Sequence, residues 1–336
     1  MKLKTFTLAA LLPMGLLLMA NAAQAQQFQV DSTHESIDEL GSKQQERLAT
    51  AGLNFLKLSQ SARGAGMADA YTSVADDISA AFWNPAGLAD IPKLAWTTTY
   101  TRWVARTQLF SGALAYNTGS SRTGVLGISL VYLKPEDVEE TTIWEPGGTG
   151  RIINAKDMAL SAIYALRFTD KLSFGLSFSW VHEAILDRSV NTGVFGVGTI
   201  FHTGFRNLRV AMSLRNLGRD GQYEQVSFWM PLNYHMAISD ELYGKKGDPA
   251  YLTVAIESIY AIDYDQRYHI GGELWLGNVL ALRGGYKFNY DAETFSLGAG
   301  VKYEVTQGRK LMLDLSYTDF GYLLTPPLRL TLSGEF

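Results

Sequence analysis

The stretch KLSFGLSFSW, Lys171 to Trp180, decides the fold. Leu172, Phe174, Leu176, Phe178 and Trp180 share one parity, and Lys171, Ser173, Gly175, Ser177 and Ser179 share the other. A period of two is the mark of a strand with one apolar and one polar face. The pattern returns in NLRVAMSLRNLG (Asn207–Gly218), VLALRGGYKF (Val279–Phe288) and TFSLGAGVKY (Thr294–Tyr303). It predicts further strands near Trp96–Val104, Leu109–Asn117, Val125–Leu133, Met158–Phe168, Val194–Thr203, Met230–Ile238, Tyr251–Tyr260, Arg267–Leu276 and Leu311–Tyr317. With the last strand of the chain this makes about fourteen across residues 93–336, in segments near the roughly 9–11 residues a tilted membrane strand needs. Longer connections around Lys134–Lys156, Arg215–Phe228 and Ser239–Ala250 read as exposed loops.

Period alone leaves open which face meets solvent. A small soluble barrel fills its interior with bulky apolar residues. Here the apolar parity is bulky, with aromatics near strand ends, while the polar parity is rich in Ser, Gly, Ala and Arg. That division suits a lipid-facing wall around a polar lumen. Composition agrees, with 12% aromatic and 18% charged residues, and 32 glycines against 9 prolines. Both chain ends point the same way. Lys2 and Lys4 precede an apolar run from Phe6 to Met19, and Ala23-Gln24-Ala25 offers a signal-peptidase site, so residues 1–25 read as a signal peptide for Sec-dependent export. The run is short for a membrane helix. The terminal LRLTLSGEF sets Leu328, Leu330, Leu332 and Phe336 on one parity, in the manner of a final strand offered to barrel-assembly machinery. The expected location is the outer membrane, with outer-membrane lipid as a partner.

Several function classes receive no support. The formal charge is −4, or −6 once Lys2 and Lys4 are removed, with no basic patch for nucleic acid. With 0 cysteines there are no disulfide staples. GGTGR, Gly147–Arg151, lacks the Gly-Lys-Ser/Thr end of a phosphate loop. His34, His182, His202, His235 and His269 share no metal-ligand spacing. No nucleophile elbow occurs. The reading is a non-enzyme without metal or cofactor.

One segment stands apart. SARGAGMADAYTSVADDISAAFWNPAGLADI, Ser61–Ile91, is predicted to form a Gly-rich turn at Gly64 and Gly66. A short helix near Val74–Trp83 follows, with Asp76 and Asp77 in its first turn. Asn84-Pro85 stops that helix, and Ala86-Gly87 turns the chain toward the wall. Such a segment suits either a plug in the lumen or a periplasmic cap, and its compactness favours the plug. The candidate hatch residues are Arg63, Gly64, Gly66, Tyr71, Asp76, Asp77, Asn84, Pro85, Ala86 and Gly87. The domain reading is therefore a signal peptide (1–25), a polar periplasmic tail (26–53), a hatch (54–92) and the barrel (93–336).

Phe55–Ala89, FLKLSQSARGAGMADAYTSVADDISAAFWNPAGLA, closely resembles the amino-terminal signature of the PorV/PorQ family of outer-membrane barrels. It is similar, more loosely, to the hatch of FadL-type channels, in which a Gly-Gly-Ala-Tyr segment leads to Asn-Pro-Ala-Gly. Ala68-Asp69-Ala70-Tyr71 stands here where the glycine pair would be. SLRNLG (Ser213–Gly218) and LALRGGYKF (Leu280–Phe288) resemble family strand motifs. The resemblance implies a 14-stranded barrel with a lumenal hatch. It implies either type IX secretion components and their cargo as partners, or passive passage of hydrophobic small molecules.

Overall fold

The computed structural model describes residues 50–336 apart from 120–122, 187, 224–225, 307 and 322–323. The signal segment with Ala23 and Ala25, and the tail up to residue 49, lie outside the described residues. The wall is a closed antiparallel barrel of fourteen strands in which each strand pairs with its neighbours in the chain. In order they are β1 (Leu94–Arg102), β2 (Gln108–Asn117), β3 (Val125–Lys134), β4 (Ala155–Arg167), β5 (Leu172–Ile185), β6 (Arg188–His202) and β7 (Arg209–Gly218). Then come β8 (Asn233–Tyr243), β9 (Ala250–Ala261), β10 (Tyr264–Leu276), β11 (Leu280–Phe288), β12 (Phe295–Thr306), β13 (Arg309–Thr318) and β14 (Leu328–Glu335). Ala95 to Arg102 pair with Glu335 to Leu328 to close the seam. Leu94 and Phe336 exchange backbone bonds of 3.0 and 2.8 Å at its end. Closure satisfies the ladder within the wall, which hydrocarbon requires.

All fourteen predicted strands are present, and their faces fall as the parity requires. Phe174, Leu176, Phe178 and Trp180 are exposed on the outside, as are Leu328, Leu330 and Leu332. Thr97, Thr99, Ser111, Ser129, Glu257, Glu273, Arg283, Asp314, Arg329 and Thr331 are buried inside. Aromatics collect toward both rims, Tyr100, Phe110, Tyr260 and Phe288 at one and Tyr116, Phe174, Phe201 and Tyr303 at the other.

Both ends of the wall, the start of β1 and the finish of β14, lie at one rim. The long connections 135–154 and 219–232 lie at the other, which is the outer rim in barrels with short periplasmic turns. Each long connection carries a small hairpin of its own, Val138–Glu139 with Ile152–Ile153 and Gly221–Tyr223 with Val226–Phe228. Within Ser239–Ala250, residues 242–249 are exposed as the composition suggests, but the first three are not. Strand β8 runs on to Tyr243, and Ser239, Asp240 and Glu241 are buried because Arg209 binds Glu241 at 2.6 Å and Arg206 reaches Asp240 at 3.5 Å.

Phe178 sits midway along β5 on the lipid side, with its ring 5.0 Å from that of Phe195 on β6. Phe178→Lys should destabilise the folded barrel by about 2–4 kcal/mol, the cost of an ammonium at mid-bilayer. Phe178→Leu should cost far less. Urea titration in liposomes measures both, and equal midpoints would place this face away from lipid.

Candidate functional site

The segment before β1 fills the lumen. A 3₁₀ turn at Asn54–Lys57 is followed by helix α1 (Ala62–Gly66), a run of turns, helix α2 (Ala80–Trp83) and a second 3₁₀ turn at Pro85–Asp90. Three local expectations are corrected. Gly64 and Gly66 lie in a helix and not in a turn. The helix holding Trp83 begins only at Ala80, so Asp76 and Asp77 precede it. Their carboxylates are drawn to a cation elsewhere, and Asp77 Oδ1 also accepts from the Ser79 amide at 2.8 Å. Gly87 does not supply turn freedom either. It lies in the 3₁₀ turn, where a Cβ would collide with the Ala75 carbonyl, so its role is close packing. The positive φ values fall instead at Ala68 (52°) and Asp69 (60°), where the FadL-type hatch has glycines.

Arg63 is the centre of the lumen. Its Nε and Nη2 donate to Glu273 Oε2 and Oε1 at 2.9 and 2.7 Å, a bidentate pair. Its Nη1 donates to Asp76 and Asp77, both at 2.8 Å. The Tyr71 hydroxyl donates to Asp77 at 2.9 Å. Arg283 Nε donates to the same Glu273 at 2.7 Å, and its Nη1 to Asp314 at 2.6 Å. Nearby, Glu257 Oε2 takes the Tyr71 and Thr72 amides, each at 3.0 Å. His235 Nδ1 lies 2.6 Å from Glu257, and His235 Nε2 lies 2.7 Å from Arg215 Nη2. A guanidinium only donates, so Nε2 accepts and the proton sits on Nδ1, facing Glu257.

The second half of the segment is gripped by backbone and shape. Asn84 Nδ2 donates to the carbonyls of Thr72 and, on β6, Thr199, both at 3.1 Å, while Oδ1 takes the Ala86 amide at 3.1 Å. The orphan carbonyls at the end of α2 are met by the wall. Ser213 binds Trp83 O and Arg215 binds Phe82 O, each at 2.9 Å. Four wall glycines make room. Gly175 and Gly198 are direct partners across β5–β6, and a Cβ on either would overlap Pro85, Ala86 or Asn84. Gly271 and Gly285 are partners across β10–β11, and a Cβ there would run into Met67.

The candidate residues Arg63, Gly64, Gly66, Tyr71, Asp76, Asp77, Asn84, Pro85, Ala86 and Gly87 are thus gathered in the lumen, while Phe336 closes the seam at the inner rim. The receptors on the wall, Glu257, Glu273, His235 and the glycine pairs, were not singled out by sequence. SLRNLG supplies Ser213 and Arg215, and LALRGGYKF supplies Arg283, Gly285 and Lys287, which binds Asp69 at 2.8 Å. Beside the segment a cavity of about 70 Å³ remains, bounded by Gln60, Trp83, Ser161, Ser177, Ser179 and Arg215 among others.

Residues 41–201, the hatch and the first half of the wall, match the family described as type IX secretion system protein PorV. The match covers a little under half of the chain and marks what that span is similar to. The wall as a whole resembles solved structures at low identity. It is similar to the Ralstonia pickettii toluene transporter TbuX at 11% identity and TM-score 0.58, over 83% of this chain and 98% of that one. It is also similar to the CymD monoaromatic hydrocarbon channel at 11% and TM-score 0.55, with the same coverage of 83% and 98%. A Pseudomonas aeruginosa FadL homologue follows at 12% and 0.52, again over 83% and 98%. These likenesses show the barrel fold alone, and fold and PorV match together support an outer-membrane barrel. No curated protein matches the chain.

Gly198→Val tests the seat of the hatch. The valine suits a strand but displaces Asn84, so the wall should form while single-channel conductance rises well above the parent's. Gly112→Val is the control, since a Cβ there meets only Thr97 O at 3.4 Å. Equal conductance for G198V and parent would show that Asn84 does not hold the lumen shut.

Acid gives a second test. Burial pushes the Asp76 carboxyl up, but Lys246 and Arg63 outweigh it and hold it below the usual range. Asp69 is held low in the same way, with Lys287, His269 and Arg329 overcoming burial. A depressed folded value gives stabilisation that is complete above the unfolded value of about 3.9 and is lost as pH falls through the folded one. The hatch should therefore stay shut at about pH 5 and loosen reversibly only well below about pH 4. Bilayer conductance against pH reads this, and an opening complete by about pH 5 would contradict it.

Proposed function

We propose that this PorV-family barrel serves type IX secretion by docking protein partners and cargo at its outer face, with the hatch acting as a standing plug. The supporting observation is the closed lumen beneath an outer rim that presents apolar side chains. An engineered cavity of about 150 Å³ takes one benzene. The cavity beside the hatch, about 70 Å³ and partly lined by serines, is smaller. At the outer rim, Ile143 and Trp144 in the β3–β4 connection are 93% and 91% exposed. Bulky apolar side chains held this far into water favour a partner that covers them. Sec-dependent export and recognition of the Leu328–Phe336 strand by barrel-assembly machinery belong to the same reading.

A FadL-type channel for hydrophobic compounds is the second reading, and one observation favours it. Near the outer mouth Leu109, Val131, Val181, Val194 and Met230 form an apolar recess. The chain's own Leu53 and Phe55 occupy it.

The test uses a strain lacking the gene, complemented with the parent or with Ile143→Ser/Trp144→Ala. Parent should restore surface attachment of type IX cargo. The double variant should lower it several-fold at equal outer-membrane barrel levels. Full cargo attachment in the uncomplemented strain, together with lost uptake of toluene, would reject docking and favour the channel.

A further inference from the structure

The path of the chain through the wall assigns a side of the membrane to Thr50, where the described chain begins. We infer that the described chain enters the barrel by its outer mouth, so that Thr50 faces the outside of the cell. Of the tail expected at residues 26–53, only 50–53 are described, and the inference puts these four at the outer mouth. The inference rests on described residues alone and does not depend on whether the barrel serves secretion or transport.

The upper contacts fix where the chain enters. Ala51 bridges to Trp229, and the Gly52 amide donates to Trp229 O at 3.0 Å. Trp229 belongs to the β7–β8 connection at the outer rim. Lys57 pairs at 2.8 Å with Asp263, in the tight turn between β9 and β10 at the same rim. Leu53 and Phe55, 2% and 3% exposed, fill the apolar recess described above. Ser59 O then accepts from Arg329, near the start of β14 and so still in the outer half.

The lower contacts show a single descent. Asp76 pairs at 2.6 Å with Lys246 in the inner turn between β8 and β9. Asp90 pairs with Arg167 at the inner end of β4. Ile91 O accepts from Asn117, at the inner end of β2, at 3.0 Å. The chain enters at the top and reaches β1 at the bottom.

The absence of cysteine makes the test clean. Thr50→Cys, Glu145→Cys on the β3–β4 connection and Asp170→Cys on the inner β4–β5 turn are expressed in cells and treated with a membrane-impermeant maleimide. T50C should label in intact cells to the level of E145C, on the order of tenfold above D170C. D170C should label fully only after the outer membrane is permeabilised. T50C that labels only alongside D170C overturns the inference. If T50C reacts in neither state, Asn54→Cys, exposed at the same mouth, decides by the same comparison. Labelling of N54C in intact cells supports entry from outside, and labelling only after permeabilisation refutes it.

Discussion

Three carboxylates and one guanidinium meet inside a wall that hydrocarbon surrounds, and that meeting organises the molecule. Arg63 lies between Glu273 of the wall and Asp76 and Asp77 of the hatch, all shielded from bulk water. Removing one partner from such a cluster leaves uncompensated buried charge, a loss of about 3–5 kcal/mol. The constraint begins outside the barrel. Lipid takes the apolar parity of every strand, so each polar side chain of the wall must find its partner within the lumen. Water would meet that need in an open channel. Here the hatch meets much of it, with Arg63 for Glu273, backbone amides for Glu257 and Asp69 for Lys287.

The wall was legible in the sequence because a strand in lipid has only one way to divide its residues. KLSFGLSFSW states its two faces without reference to any other segment, and every other strand repeats the rule. The hatch was legible as a segment but less so in its internal shape. Glycines at 64 and 66 suggested a turn, whereas the helix they belong to needs their small size beneath Trp83 and against Gly298. Asp76 and Asp77 suggested a helix start, whereas Arg63, thirteen residues earlier, captures Asp76. Local preference loses where a buried long-range ion pair is stronger than a first-turn dipole contact. The receptors on the wall carried a signal that went unread. A chain with few charges places Glu257, Glu273, Arg283, Lys287 and Asp314 on the lumenal parity, where a solvated pore has no need for such close pairing.

Shape and charge divide the lumen between them. Strands β10 to β14 hold the upper hatch by ion pairs, with Gly271 and Gly285 admitting Met67. Strands β5 to β7 hold the lower hatch by carbonyl contacts from Ser213 and Arg215, with Gly175 and Gly198 admitting the Asn84 knot. The strand motifs that mark the family resemblance serve both grips. A barrel needs neither motif to close, since its ladder is complete without them. Their residues have a physical reason to be there only if the hatch is.

The departure from glycine at Ala68 and Asp69 follows from the same arrangement. A left-handed backbone at a residue with a Cβ costs about 1–2 kcal/mol, and glycine would avoid it. Asp69 offsets the strain with its carboxylate, which joins Ser59 at 2.7 Å to Lys287 at 2.8 Å and so ties the outer end of the hatch to β11. A glycine there would make an easier turn but leave Lys287 with Glu293 as its one carboxylate partner among the described residues. In this chain the turn is bent for the sake of the ion pair, and the plug is anchored by charge where its backbone is least comfortable.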